Sequence, residues 1–342
     1  MNRIIKYVDI VSPRSATGLV GDVYGQAKRE VGRLVEGVTM FSSDPELLAA
    51  TWASFREPLL AAGLAPRISK EAVAATVSRL NECPYCVDAH TIMLYGGGAG
   101  TFATELLGGV AVEQLDPRFR SLSRWAEGTA TEGTASAAAP FAAILAPEYL
   151  GVLVNFHFLN RMINILLAGT FLPGPEGARK IARRVGGKVM ASKVAAKLEP
   201  GIAPGLPGGR AHLPPDLSWA APSEPIAAAY AMLASATEAA ALRCTTQHVR
   251  ELVGHTVAGW KGEPPGVSAS WADGPLAAIP AADRPAARLA LLAALAPYQV
   301  TEQDVLAFRA GVPGDRELIG LLSWAVFMAC RRIGSWAAGT CQ

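Results

Sequence analysis

Between Leu198 and Pro225 the chain reads EPGIAPGLPGGRAHLPPDLSWAAPSEP. No long helix or strand tolerates that density of proline, which lacks a backbone donor, and glycine, which adds backbone freedom. The segment 199–225 reads as a linker, leaving 1–198 and 226–342 as two domains, each long enough to bury a core. Apolar periodicity predicts helices over 70–80, 101–112, 119–127, 147–168 and 176–198 before the linker. After it the same pattern predicts helices over 226–243, 246–260, 284–295, 301–310 and 316–338, and the only candidate strand in the chain is 4–10. Hydrophobic residues make up 51% of the chain and only 7% is aromatic, a balance that suits helices packed through small contacts. The expected fold is all-α, with no substantial sheet.

The two flanks resemble each other, as a tandem duplication requires. Asp116-Pro117-Arg118 matches Asp283-Arg284-Pro285, and the run from Glu148 to Leu153 matches that from Glu317 to Leu322. Laying Cys86 on Cys244 also lays His90 on His248, but Cys83 then falls on Ala241 and Glu71 on Ala229. Only the first copy keeps a complete set of reactive residues, and Cys244 and His248 read as relics. A net charge of +2 gives no reason to expect a nucleic-acid partner. The first residues, Met1 to Lys6, lack the apolar core and cleavage site of a secretory signal, so a cytoplasmic protein is expected. Residues 149–171 are long enough to span a bilayer but carry Asn155, His157, Asn160, Arg161 and Asn164, so a buried helix is expected there and no membrane.

The informative run is Glu71 to His90, EAVAATVSRLNECPYCVDAH. Cys83 is placed at a helix entrance, with Pro84 in the first turn, where its missing N–H costs nothing. Cys83 and Cys86 share a helix face at i, i+3, and the unpaired N–H groups of that entrance are expected to favour thiolate over thiol. His90 follows Cys86 by one turn and can exchange a proton with it. Glu71, on the preceding helix, can return over the pair as a second proton carrier. Five cysteines, an odd number, argue against a static disulfide framework. A zinc site needs four ligands and usually a second Cys-x-x-Cys, which is absent here, and no βαβ pattern supports a thioredoxin-like domain. No metal or cofactor is called for, and the dithiol reads as a redox centre. His157 and Arg161 read as buried groups bonded to backbone or to a neighbouring subunit. Cys330 reads as a small core residue, Cys341 as exposed, and Gly96 to Gly98 as a helix stop.

With Glu, Cys-x-x-Cys and His at these spacings, the chain resembles the AhpD-like alkylhydroperoxidases of the carboxymuconolactone decarboxylase superfamily. The run LNECPYCVDAHTIMLYGGG carries the likeness, which extends through Asn160-Arg161 and covers roughly residues 40–172. The resemblance implies that Cys86 attacks peroxide, that Cys83 resolves the product to a disulfide, and that Glu71 and His90 relay protons. It also implies a hydroperoxide substrate, an external dithiol reductant such as a lipoyl-bearing protein, and a homo-oligomer. The same superfamily holds lactone decarboxylases, which need no cysteine pair. A redox-sensing or scaffold protein is the reading from outside enzymology.

Overall fold

Every helix predicted from periodicity forms, with ends shifted by a few residues. The computed structural model describes residues 4–135, 138–209 and 212–341. The first copy runs α1 (Gly18–Val31), α2 (Glu36–Thr39), α3 (Pro45–Phe55), α4 (Arg67–Leu80), α5 (Pro84–Gly96), α6 (Gly100–Leu107), α7 (Pro117–Gly128), α8 (Ala146–Leu166) and α9 (Glu176–Ala195). The second runs α10 (Glu224–Cys244), α11 (Gln247–Gly259), α12 (Asp273–Leu276), α13 (Arg284–Leu295), α14 (Glu302–Arg309) and α15 (Asp315–Ala338). The fold is all-α and built as a tandem pair. The motifs that match in sequence also match in place. Asp116 and Asp283 are the N-cap residues of α7 and α13, each with proline in the first turn, and Glu148 and Glu317 stand in the first turns of α8 and α15.

Four α-helices among the described residues escape the periodicity, the four-residue α12 among them. α3 is buried from Leu47 to Ser54, so its apolar residues mark no single face. α1 and α2 precede any strong apolar pattern. The expected 101–112 helix stops at Leu107, where Gly108-Gly109 follows and Gly109 turns to φ 69°. The expected strand over 4–10 does not form. Only Ile5 pairs, with Leu167, and Tyr7 at φ 65° ends the extended run. The N-terminal reading also includes Met1 to Arg3, which lie outside the described residues.

α8 is the axis. Twenty of its residues are buried, and both α4 and α15 pack against it. Phe158 stacks on Phe41 at 5.9 Å between centroids and meets Phe327 edge-on at 6.0 Å, so a single apolar core crosses both copies. The Tyr230 hydroxyl donates to the Gly151 carbonyl oxygen, and Asp44 accepts from both Arg243 and Arg316. α10 and the stretch Asp315–Cys341 are long and apolar enough to cross a membrane, but 56% and 78% of their apolar windows are buried within the protein.

The Pro/Gly-rich segment lies against both copies, and its Arg210 and Ala211 fall outside the described residues. Arg56 donates to the Glu199 carbonyl at 2.7 Å and Glu57 accepts from the Gly201 N–H at 2.8 Å. Farther on, Leu217 and Trp219 are buried and Asp216 accepts from Arg331 at 2.6 and 2.7 Å. α9 closes over α5 at glycines: a Cβ on Gly187 would lie 2.5 Å from the Tyr95 Cβ, and one on Gly96 would lie 2.8 Å from the Gly187 carbonyl oxygen.

Candidate active site

The α4–α5 junction builds the dithiol. α4 ends at Asn81, Glu82 takes φ 48° to reverse the chain, and Cys83 caps α5 with Pro84 in the first turn. The Cys83 N–H bonds to the Ser78 carbonyl at 3.0 Å, which ties the turn to the helix before it. The two Sγ atoms lie 2.7 Å apart as free thiols, and both residues are buried.

The electrostatics of Cys86 reverse the expectation. Burial pushes its thiol well above the usual range, the neighbouring Cys83 adds to that, and a hydrogen bond with Asn160 opposes it. A helix entrance offers only a partial positive charge, and loss of hydration outweighs it when the sulfur is shut away from water.

Glu71 and His90 come together 2.6 Å apart, between Oε2 and Nδ1. The other carboxylate oxygen accepts from Arg67 at 2.8 and 2.6 Å. Burial pushes the Glu71 carboxyl up, but the charges and hydrogen bonds of Arg67 and His90 outweigh it and hold it at about 2. An ionised carboxylate only accepts, so His90 carries its proton on Nδ1 and leaves Nε2 as the acceptor. The imidazole is held edge-on to Phe156 at 4.4 Å. The dithiol and the Glu71–His90 pair thus form two tight pairs, joined through the cavity wall that Cys86 and His90 share. Among the described residues, no cluster of three or more His, Cys, Asp or Glu could hold a metal ion.

Behind the dithiol, α8 contributes a polar layer. Asn160 donates to Ser78 Oγ at 3.1 Å and accepts from Asn81 at 3.1 Å. Burial pushes His157 well below its ordinary range, so its Nδ1 accepts from Arg161 and Asn81, each at 3.1 Å. Arg161 reaches the carbonyls of His157 at 3.1 Å and, across the copies, Ala294 at 3.3 Å. Both residues are buried, but only Arg161 bonds to backbone; the His157 ring meets the side chains of Asn81 and Arg161, and its Nε2 has no hydrogen-bond partner.

The second copy has no counterpart to the site. Cys244 ends α10 and bonds back to the Ala240 carbonyl at 3.2 Å, and burial pushes its thiol up to about 12. His248 is exposed on α11 and pairs with Asp283 at 3.0 Å. Helix geometry corrects the sequence register: the residue that caps α11, as Cys83 caps α5, is Thr246. Counted from those caps, Val249 and Val253 stand where Cys86 and His90 stand in the first copy, and both are buried. Cys330 is a core residue, and Cys341 is half-buried rather than exposed because its sulfur turns back toward the Ala337 carbonyl.

A cavity of about 320 Å³ opens onto the site. Cys86 and His90 line it and Cys83 is not on its wall; most of the lining is apolar, including Trp52, Phe55, Phe156 and Phe171. Sequence reasoning missed Arg67 and Thr51. Arg67 was detectable as the residue one turn before Glu71, whereas nothing local marks Thr51 as facing a cavity.

Residues 46–127 match the carboxymuconolactone decarboxylase family profile, a span that holds Glu71, Cys83, Cys86 and His90. The chain is also 44% identical over 344 residues to a Mycobacterium tuberculosis protein named alkyl hydroperoxide reductase, a match covering 99% of this chain and 97% of that protein. The doubled length is therefore common to both.

Proposed function

Because the chain belongs to the carboxymuconolactone decarboxylase family, we propose that it is an AhpD-like thiol peroxidase that reduces hydrogen peroxide or alkyl hydroperoxides through Cys86 and Cys83. The observation that carries this reading is the asymmetry of the dithiol: Cys86 faces the cavity, and Cys83 stands behind it with the sulfurs 2.7 Å apart. Attack and resolution are thereby divided between the two sulfurs.

His90 Nε2 takes the Cys86 proton, and the sulfur attacks the terminal peroxide oxygen as the O–O bond breaks. The departing alkoxide takes a proton and leaves as alcohol, or as water from hydrogen peroxide, with a sulfenic acid left on Cys86. The Cys83 sulfur then attacks the Cys86 sulfur. The S–S bond forms, the sulfenic hydroxyl departs, and with the Cys83 proton it makes water. An external dithiol, of which a lipoyl-bearing protein is one form, restores both thiols by two exchange steps and is itself oxidised to a disulfide. Burial keeps the resting thiol protonated, so it reacts only when the base beside it is engaged.

The same reading divides the chain into a working copy (1–198), a connecting segment (199–225) and a copy without the dithiol (226–342), in a cytoplasmic homo-oligomer. The test is peroxide turnover with a dithiol donor. Cys86→Ser abolishes it, while Cys83→Ser consumes one equivalent of peroxide and stops at a sulfenic acid that dimedone traps. Turnover at the wild-type rate in both variants removes the proposal.

A further inference from the structure

A cavity of about 320 Å³ with an apolar wall does nothing for hydrogen peroxide, which is small and fully hydrated. Its size and lining suit a hydrocarbon chain. Besides Cys86 and His90, the lining holds Tyr85 and Trp52, whose O–H and N–H donate to Glu36 and Gln26, and two further polar residues with no role in the dithiol chemistry.

The first is Thr51 on α3. It is 3% exposed, and its Oγ1 is buried with no hydrogen-bond partner. A buried hydroxyl left unpaired is destabilising, and valine would fill the same space without that cost. Thr51 borders the cavity with its hydroxyl oxygen turned away from the open space, and a change of its side-chain rotamer would bring that hydroxyl to the wall, where it could meet a partner. The second is Arg33, the one lysine or arginine among the described residues that line the cavity. Its side chain is 56% exposed and its guanidinium lies over the Phe171 ring at 4.9 Å, so it stands at the rim, where the wall meets water. Its nearest acid, Glu36, is 3.9 Å away, beyond hydrogen-bond reach, and already accepts from the Tyr85 hydroxyl at 2.7 Å. An anion at the rim would therefore find the fork of Arg33 available for a charge-assisted contact.

We infer that the cavity is a binding site for a carboxylated acyl hydroperoxide, with the chain against the apolar wall, the carboxylate on Arg33 and an oxygen of the peroxide group bonded by Thr51. The hydroperoxide part rests on the peroxidase reading; the chain and the carboxylate do not. The chemical class is a fatty acid carrying a hydroperoxide along its chain, such as oxidation of an unsaturated acyl group supplies.

Two measurements separate the parts. The first is calorimetric titration of the full-length reduced protein with decanoate and with methyl decanoate, which needs no turnover. Decanoate is expected to bind about fivefold more tightly than its ester, the margin a partly exposed ion pair supplies, with a negative heat-capacity change from the buried chain. Arg33→Gln abolishes that preference and Arg33→Lys keeps part of it. Equal affinities for acid and ester, or no binding of either, overturn the inference. The second measurement is the KM for linoleic acid hydroperoxide. Thr51→Val is expected to raise it about fivefold, the loss of one hydrogen bond, without weakening decanoate, which has no peroxide group. An equal loss for both ligands overturns the role of Thr51. If no hydroperoxide is reduced but decanoate still binds in an Arg33-dependent way, the peroxidase reading fails and the acyl carboxylate site stands.

Discussion

Replacing Glu71 by glutamine keeps the shape of the side chain and removes its charge at a point closed to water. In the wild type both oxygens are engaged, one by Arg67 and one by His90. Burial works against the ionised form, yet Arg67 and His90 together hold the carboxyl at about 2, against an ordinary 4.5. At about 1.4 kcal/mol per pH unit, that difference is worth about 3 kcal/mol. Because the folded value lies below the unfolded one, the stabilisation is fully present above pH 4.5 and is lost as the pH falls from there to about 2. Urea denaturation of the wild type and Glu71→Gln across that range isolates the contribution, since the other titrating groups are common to both chains. The gap between the two is expected to be about 3 kcal/mol at neutral pH, to hold down to about pH 5, and then to close by about 1.4 kcal/mol per pH unit. A gap that stays constant down to about pH 3, or one below about 0.5 kcal/mol at neutral pH, refutes the argument that ionic partners outweigh burial at this carboxyl.

Other perturbations test other parts of the structure. Lys70 and Glu148 pair at 2.8 Å with both side chains nearly closed to water, so Lys70→Met strands a buried carboxylate. It is expected to cost about 3–5 kcal/mol by denaturation, and Lys70→Met with Glu148→Gln should recover part of the loss; no recovery means the pair is not what the single variant breaks. Gly187→Ala drives a Cβ into Tyr95 and should cost about 1–3 kcal/mol, whereas Gly177→Ala on the same helix meets nothing within 4 Å and should be neutral or slightly stabilising in a thermal melt. Alkylation of Cys86 in Cys83→Ser should quicken about tenfold per pH unit from about pH 6 to 8, because burial keeps the sulfur protonated across that range. A plateau near neutral pH contradicts the raised thiol.

Several helices were legible because they mark themselves locally. Asp116 and Asp283 cap, proline follows in the first turn, and Gly97 and Gly98 close α5. The helix entrance at Cys83-Pro84 and the i, i+3 dithiol were legible for the same reason. The meeting of Glu71 and His90 followed from two consecutive helices folding back on each other. α3 was not legible, because a helix buried on all sides has no polar face to set its period. The register of the second copy was misread for a related reason. Matching Cys86 with Cys244 assumes that residue identity outlives position, whereas the structural match runs from cap to cap and sets Val249 opposite Cys86.

Neighbours within a few positions on the chain specified where helices start and stop, that two sulfurs share a helix entrance, and that an imidazole follows one turn later. Those are consequences of backbone geometry, which short stretches of sequence control. Charge state and access were decided only by the tertiary structure. Whether Cys86 is thiol or thiolate, whether Glu71 stays ionised, and which sulfur faces a cavity all depend on how much water each group loses. That loss is set by α8, α9 and α3, which reach the site from distant parts of the chain.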